Sequence, residues 1–243
     1  MRNHRMLWVA VLAIVVSLIP LQAVEAQTDP TQHGLPGPLI DGQYAAYGFL
    51  FESYDNHDRY GRFTAHEMAV LGQVIQAYAM LAGSPQRLSM LVDGPVSVRK
   101  DEIEVVSYTQ AGKVIGLGRA AFSLTLTAEH NYYTWGATSG NELAQMVFGH
   151  EIGHRWIETL RRSTGKDLAD VYERNVQRGE RISSRETWAD ANAGDCEEEA
   201  VTNLALYALG KRYRWTFLHD APSSSFRQVQ IDGWVSDLLA NSK

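Results

Sequence analysis

The segment VFGHEIGHRW, residues 147–156, contains His150, Glu151 and His154 in the order His-Glu-x-x-His. Residues four apart on an α-helix project from one face, so the two imidazoles can bind a single zinc ion. Glu151 borders the same face, and its carboxylate can accept a proton from water that the metal activates. Two metal ligands and one proton acceptor at a single site require two histidines four residues apart with a glutamate next to the first. The segment therefore predicts a hydrolytic site with one catalytic zinc ion.

Three fixed positions also occur together by chance in chains of this size, which would leave two histidines on an ordinary helix. The surrounding residues favour the metal site. Ser139 and Glu142 have the spacing of a capping box, and they predict a helix that runs through the motif to about Arg162 and stops at Gly165. A β-rich region precedes this helix, and this context also makes a chance match less expected.

A third metal ligand is expected in ISSRETWADANA, residues 182–193, where Glu186 is followed one helical turn later by Asp190. Glu186 is predicted to bind the metal. Asp190 is predicted to accept the free ring N–H of one histidine and so fix its tautomer. The small residues around both carboxylates suit a helix packed closely on the zinc helix. Glu197 and Glu198 are the alternatives for the third ligand.

The rest of the chain predicts an α+β domain with its sheet first and its helices last. Residues 44–54 suggest a short helix, and the capping box of Thr64 and Glu67 opens a helix to about Leu81. A further helix is expected from Ser183 or Ser184, continuing or restarting after Gly194. Short β-rich runs predict a small twisted sheet between these helices, at residues 88–92, 96–98, 103–108, 113–118 and 121–127.

Residues 1–26 have the layout of a secretory signal peptide, with Arg2 and Arg5 before an apolar run and cleavage expected after Ala26. The apolar run is shorter than the roughly 20 residues that span a bilayer, although an uncleaved anchor remains the alternative. Residues 27–40 are rich in Pro and Gly and predict an extended leader. Residues 41–243 then form a single domain. The protein is expected to be exported, either to a periplasm or outside the cell.

Composition narrows the range of partners. The formal net charge is −6 and no Lys/Arg-rich block occurs, which argues against binding to nucleic acid or to an anionic membrane surface.

Two further features of the sequence bear on covalent or ionic cross-links. Cys196 is the only cysteine, so an intrachain disulfide is excluded. Residues 56–67 partly match a calcium-binding EF-hand loop, but Tyr60 is a poor ligand at its position and the capping box already explains Glu67.

HEIGH followed by ETWAD resembles the gluzincin branch of the HExxH zinc metallopeptidases, in forms similar to the lethal-factor-like and the ExxAD-type enzymes. The resemblance covers residues 114–193. It implies a zincin-like fold in which an edge strand, here within residues 111–127, aligns an extended peptide. It also implies the zinc ligands His150, His154 and Glu186, the general base Glu151 and the supporting Asp190. The implied function is that of an exported zinc metalloendopeptidase acting on peptides or proteins.

The sequence departs from the lethal-factor-like pattern at one position. Those enzymes have an oxyanion-stabilising tyrosine seven residues before the third ligand, where this chain has Gly179. The oxyanion donor is therefore open, with four candidates: Tyr172, Tyr207, Tyr213 and His219.

A non-catalytic exported binding protein on a zincin scaffold is the rival interpretation. The fourth metal position separates the two, because a binding module could fill it with a side chain whereas a peptidase must leave it open to water. Glu151 favours the enzyme, since a binding module has no need for a carboxylate beside both histidines.

Overall fold

The computed structural model describes residues 39–54, 60–102, 107–110, 113–129, 137–167, 196–210 and 224–242. All of them belong to one compact unit, Gly37–Lys243. The predicted signal peptide and residues 27–38 of the predicted leader lie outside the described residues and stay predictions. Among the residues that the structure describes, no helix is both long and apolar enough to cross a membrane.

Helix α1, Ala65–Ala82, begins at the predicted capping box. The Thr64 hydroxyl accepts a hydrogen bond from the Glu67 N–H at 3.1 Å, and the Glu67 carboxylate accepts one from the Thr64 N–H at 2.8 Å. The same carboxylate pairs with the Lys100 ammonium at 3.0 Å. These contacts explain Glu67 without a calcium ion. Two other residues of the EF-hand-like loop, Asn56 and Asp58, lie outside the described residues.

Helix α1 ends at Gly83, whose φ of 95° is the left-handed conformation that glycine adopts readily. A second helix, α2, follows at once over Pro85–Leu91. The Ser84 side chain caps it by accepting from the Arg87 N–H at 3.1 Å, and Pro85 suits the first helical turn. The strand predicted over residues 88–92 is therefore wrong, because the Ser-Pro start signal places residues 88–91 in a helix that Val92 caps.

The described strands are β1 Leu39–Asp41, β2 Phe49–Ser53, β3 Tyr60–Gly61, β4 Val96–Asp101, β5 Ser107–Gln110 and β6 Val114–Gly118. They form one mixed sheet in the order β1-β2-β4-β6-β5, with β3 paired to β4. Strand β2 pairs parallel with β4, and β4 pairs parallel with β6. Strand β5 lies at one edge and runs antiparallel to β6.

Two predictions in this region need correction. The helix expected over residues 44–54 is a short 3-10 helix, Ala45–Tyr47, followed by β2. Gly48 separates them at a φ of 91°, which stops the helix. The edge strand expected within residues 111–127 is wrong as well, because β6 lies inside the sheet between β4 and β5. Strand β1 takes in the last two residues of the predicted leader.

The strand predicted over residues 121–127 is wrong, because these residues belong to a 3-10 helix, Arg119–Phe122, and to α3, Leu124–Glu129, with Ser123 between them. Hydroxyl groups account for this, since Ser and Thr bond to nearby backbone in compact turns. The Ser123 Oγ accepts from the Leu126 N–H at 3.3 Å, and the buried Thr127 hydroxyl lies 2.6 Å from the Ala120 carbonyl oxygen. These local bonds outweigh the β-like alternation of the sequence.

Helix α4, Gly140–Thr164, confirms the predicted motif helix. The Ser139 side chain accepts from the Glu142 N–H at 3.2 Å, and Gly165 ends the helix at a φ of 67°. The Glu142 carboxylate bonds to the Thr138 N–H instead of that of Ser139, so only half of the capping box forms. Among the described residues that follow, two segments are helical, α5 Cys196–Ala208 and α6 Ser224–Asn241.

The core forms where α4 packs between the sheet, α1 and α5. The Phe148 ring on α4 lies 5.9 Å from that of Phe49 and 6.4 Å from that of Phe51, both on β2. Further along α4, the buried Trp156 ring lies 6.0 Å from the Tyr78 ring of α1. These contacts bury α4 over most of its length, and the fold is α+β as predicted.

Two glycines let α4 approach α5 closely. A Cβ atom on Gly149 would lie 3.1 Å from the Cβ of Ala205, and one on Gly153 would lie 2.9 Å from the Cβ of Val201. Because the two glycines are four residues apart, they lie on one face of α4, next to His150 and His154. The contact between the helices therefore depends on missing side chains beside the metal-binding motif.

Gly153→Ala should lower the free energy of unfolding by about 1 to 2 kcal/mol. Overpacking costs about 1 to 3 kcal/mol, and better helix propensity returns up to about 1 kcal/mol. Gly233→Ala on α6 is the matched control, because its added Cβ would meet nothing within 4 Å. It should stabilise the protein by up to about 1 kcal/mol. Urea denaturation compares the two variants, and equal stabilisation of both would contradict a close α4–α5 contact.

Candidate metal centre

Three side chains bring their ligand atoms together between α4 and α5. The Nε2 atoms of His150 and His154 are 3.0 Å apart. The Glu198 carboxylate on α5 lies 3.1 Å from the Nε2 of His150 and 3.3 Å from the Nε2 of His154. All of these atoms fall within 4.8 Å of one another, so the group could hold a metal ion.

Thr202 fixes the ring of His150, which is only 4% exposed. The Nδ1 of His150 is 2.9 Å from the Thr202 Oγ1. That hydroxyl donates its own proton to the Glu198 carbonyl oxygen at 2.8 Å, so its oxygen must accept from the ring. Nδ1 of His150 therefore carries a proton, and Nε2 is the ring nitrogen that faces the group.

Glu197 does the same for His154. The Nδ1 of His154 lies 3.2 Å from the Glu197 Oε1. An ionised carboxylate only accepts hydrogen bonds, so Nδ1 carries a proton and Nε2 is the ring nitrogen that faces the other ligand atoms. Each histidine thus presents the same nitrogen, and each is oriented by a side chain of α5.

Glu151 is buried beside the metal-binding group, at 5% exposure. Its Oε1 accepts a hydrogen bond of 2.6 Å from the hydroxyl of Ser107, the first residue of the edge strand β5. Its charge also reaches His154, whose pKa it helps to raise. Glu151 is therefore held by the sheet on one side and lies close to the histidines on the other.

The carboxylates around His154 strongly favour its charged form. Burial lowers the pKa of His154, but hydrogen bonds to Glu197 and Glu198 outweigh burial and raise that pKa to about 10. In the metal-free protein a proton thus supplies a positive charge at this position. The same surroundings would stabilise a metal cation in its place.

The two acidic partners shift in the opposite direction. The hydrogen bond from His154 lowers the pKa of Glu197 to about 2 against the effect of burial, with help from Arg161. Burial raises the pKa of Glu198, but hydrogen bonds from His150 and His154 outweigh it and hold that pKa well below its usual range. Both carboxylates are therefore ionised at neutral pH, and Glu198 is the one placed to bind a cation.

The structure brings together three of the predicted site residues, His150, Glu151 and His154. Glu198, an alternative in the sequence interpretation, supplies the third ligand atom among the described residues. The predicted ligand Glu186 and its partner Asp190 lie outside the described residues and stay predictions. Among the four candidate oxyanion donors, Tyr207 packs against the core, and Tyr172, Tyr213 and His219 also lie outside the described residues.

Sequence reasoning missed two residues of this centre. Thr202 follows Glu198 by one helical turn, which is the same spacing that suggested Asp190 as the partner of Glu186. The spacing could therefore have identified Thr202 if hydroxyl acceptors had been considered along with carboxylates. No local pattern marks Ser107, because its contact with Glu151 depends on how the sheet meets α4.

Comparison of the chain with protein-family models, with curated proteins and with solved structures gives no match. A functional assignment for this centre rests on its residue pattern and its geometry.

We expect the protein to bind one zinc ion per chain and Glu198→Ala to weaken that binding by more than about 100-fold, beyond the loss typical of an outer-shell residue. Elemental analysis after dialysis measures the zinc content. Glu129→Ala, on the exposed end of α3, is the matched control and should retain the ion. If Glu198→Ala keeps its zinc and Glu186→Ala loses it, Glu186 is the third ligand instead.

The stability of the metal-free protein should fall as pH rises from about 6.5 to about 10. The folded pKa of His154 is raised from 6.5 to about 10, so its stabilising contribution is complete below pH 6.5 and is lost toward pH 10. The folded pKa of Glu197 is lowered from 4.5 to about 2, so its stabilising contribution is complete above pH 4.5 and is lost as the pH falls toward 2. Urea denaturation in chelator tests this. The alkaline loss should be smaller in His154→Gln, and an unchanged profile would contradict it.

Proposed function

We propose that the protein is an exported zinc-dependent peptidase in which Glu151 is the general base for hydrolysis of a peptide bond. The observation that carries the proposal is the juxtaposition of a buried carboxylate with the group of His150, His154 and Glu198. A metal site with a purely structural role has no need for a further buried carboxylate at its side. Hydrolysis does need one, to take a proton from water.

The ligand atoms suit a zinc ion in particular. Two imidazole nitrogens and one carboxylate oxygen are a common donor set for catalytic zinc. Tetrahedral geometry with bonds of about 2.0 to 2.1 Å separates the ligand atoms by roughly 3.3 Å. The two Nε2 atoms are 3.0 Å apart, and the Glu198 carboxylate lies 3.1 Å from His150 through Oε2 and 3.3 Å from His154 through Oε1, so the separations are close to this value although they involve both carboxylate oxygens. Small shifts of the side chains would accommodate the ion.

The protein's own residues would divide the work as follows. His150, His154 and Glu198 would hold the zinc ion, which supplies Lewis acidity for the substrate carbonyl and for water. Glu151 would accept the proton of the attacking water and deliver it to the leaving amine. Ser107 would orient the Glu151 carboxylate through its 2.6 Å hydrogen bond to Oε1.

An extended peptide has a natural place along β5. Among the described strands, β5 is an edge of the sheet, and its first residue contacts Glu151. Peptides bind edge strands by main-chain hydrogen bonds, which would align a substrate with the base. The proposal thus keeps the resemblance to gluzincin peptidases but moves the substrate-aligning strand from residues 111–127 to β5. Export rests on the predicted signal peptide of residues 1–26.

Glu151→Gln should retain zinc and lose peptide cleavage, with kcat at least about 100-fold lower, because an amide cannot accept the proton. A library of unstructured peptides, analysed by mass spectrometry, supplies the substrate. Glu129→Gln is the matched control and should cleave at the parent rate. Cleavage by Glu151→Gln at the parent rate would contradict the mechanism. A parent protein that binds zinc but cleaves nothing in the library would favour the binding-protein alternative.

A further inference from the structure

Beyond the ligands themselves, we propose that Arg161 and Glu197 are positioning residues that hold the ring of His154 toward the metal and thereby set the metal affinity. This inference rests on the metal site of the proposed function. It adds Arg161, a residue two helical turns beyond His154, to the machinery of that site.

Glu197 bridges the two residues with its two oxygens. Oε1 accepts from the Nδ1 of His154 at 3.2 Å, and Oε2 accepts from the Nη2 of Arg161. His154 and Arg161 are seven residues apart on α4, so both project toward the same side of the helix. Glu197 reaches them from α5. Its carboxylate is therefore held at both ends instead of rotating freely.

Arg161 is itself held by further carboxylates. Its Nη1 donates to Glu158 at 2.8 Å, and its Nε donates to Asp167 at 3.1 Å. The planar guanidinium presents donors in a fixed fork, so partners on several sides determine its orientation. An isolated ion pair at this exposure would contribute little. Here the network fixes the position of one carboxylate, and that carboxylate fixes a metal ligand.

Substitution of Arg161 distinguishes a positioning role from a purely electrostatic one, because the two predict opposite changes in metal affinity. A positive charge near a cation site repels the cation, so electrostatics alone predicts tighter metal binding when Arg161 is removed. Positioning predicts weaker binding, because Glu197 loses its anchor and His154 loses a fixed orientation. The two explanations therefore give opposite results for one substitution.

The test measures Zn²⁺ affinity of the full chain by competition with a chelator, and the visible spectrum of the Co²⁺-loaded protein. Glu197→Ala should weaken Zn²⁺ binding by about 10- to 100-fold, the range typical of residues that orient metal ligands. Arg161→Gln should weaken it by up to about 10-fold, and both should alter the Co²⁺ spectrum. Adding Arg161→Gln to Glu197→Ala should cause no further loss, because Arg161 acts through Glu197.

Arg162→Gln is the matched control. Arg162 is the neighbouring arginine on α4, and it pairs with Asp93 and with Oε1 of Glu158, whereas Arg161 donates to Oε2 of Glu158. Arg162→Gln should leave the Zn²⁺ affinity and the Co²⁺ spectrum unchanged. Glu197→Gln keeps the shape of the side chain and an oxygen that accepts from Nδ1, so it serves if Glu197→Ala fails to fold. Its Zn²⁺ affinity should lie between those of the parent and of Glu197→Ala.

Unchanged or tighter Zn²⁺ binding by Arg161→Gln would overturn the proposal while leaving the metal site intact. A parent protein that binds neither Zn²⁺ nor Co²⁺ would overturn it together with the proposed function. Weaker binding by Arg161→Gln and by the Glu197 variants, with the parent spectrum in Arg162→Gln, would support it.

Discussion

The close contact between α4 and α5 is the constraint on which the metal centre depends. Gly149 and Gly153 lack the Cβ atoms that would meet Ala205 and Val201, so the two helix backbones can approach. The Tyr78 hydroxyl adds a buried hydrogen bond of 2.6 Å to the Gly149 carbonyl oxygen and ties α1 to the same place. At a larger separation the carboxylates and hydroxyl of α5 would not reach the histidine rings.

The second requirement is charge balance. Carboxylates crowd two imidazoles in a largely buried space, and uncompensated charges in such a space are strongly destabilising. In the metal-free protein the balance comes from a proton on His154, whose pKa is raised to about 10, and from Arg161 on the far side of Glu197. A divalent ion would replace that proton. The arrangement that makes the site stable without metal therefore also gives it affinity for a cation.

Local signals explain which parts of the structure could be predicted from the sequence. The α1 and α4 helices were predictable because Thr64, Ser139, Gly83 and Gly165 act within one turn of each helix end. Residues 119–129 were not, because their hydroxyl-to-backbone bonds compete with an alternating pattern typical of strands. The α+β class follows from the order of the elements, but the edge position of β5 depends on long-range pairing.

The candidate metal centre can likewise be divided into a part that local sequence predicts and a part that it does not. His150, Glu151 and His154 lie within five consecutive residues, so helical geometry alone brings them together. The candidate third ligand comes from another helix, and only tertiary packing can select among several acidic residues.

The packing also assigns metal binding and the proposed proton transfer to different contacts of α4. Helix α5 orients the candidate metal ligands, whereas β5 orients Glu151, the proposed base, through Ser107. A disturbance of the α4–α5 contact should therefore act on metal affinity, and one of the α4–β5 contact on turnover.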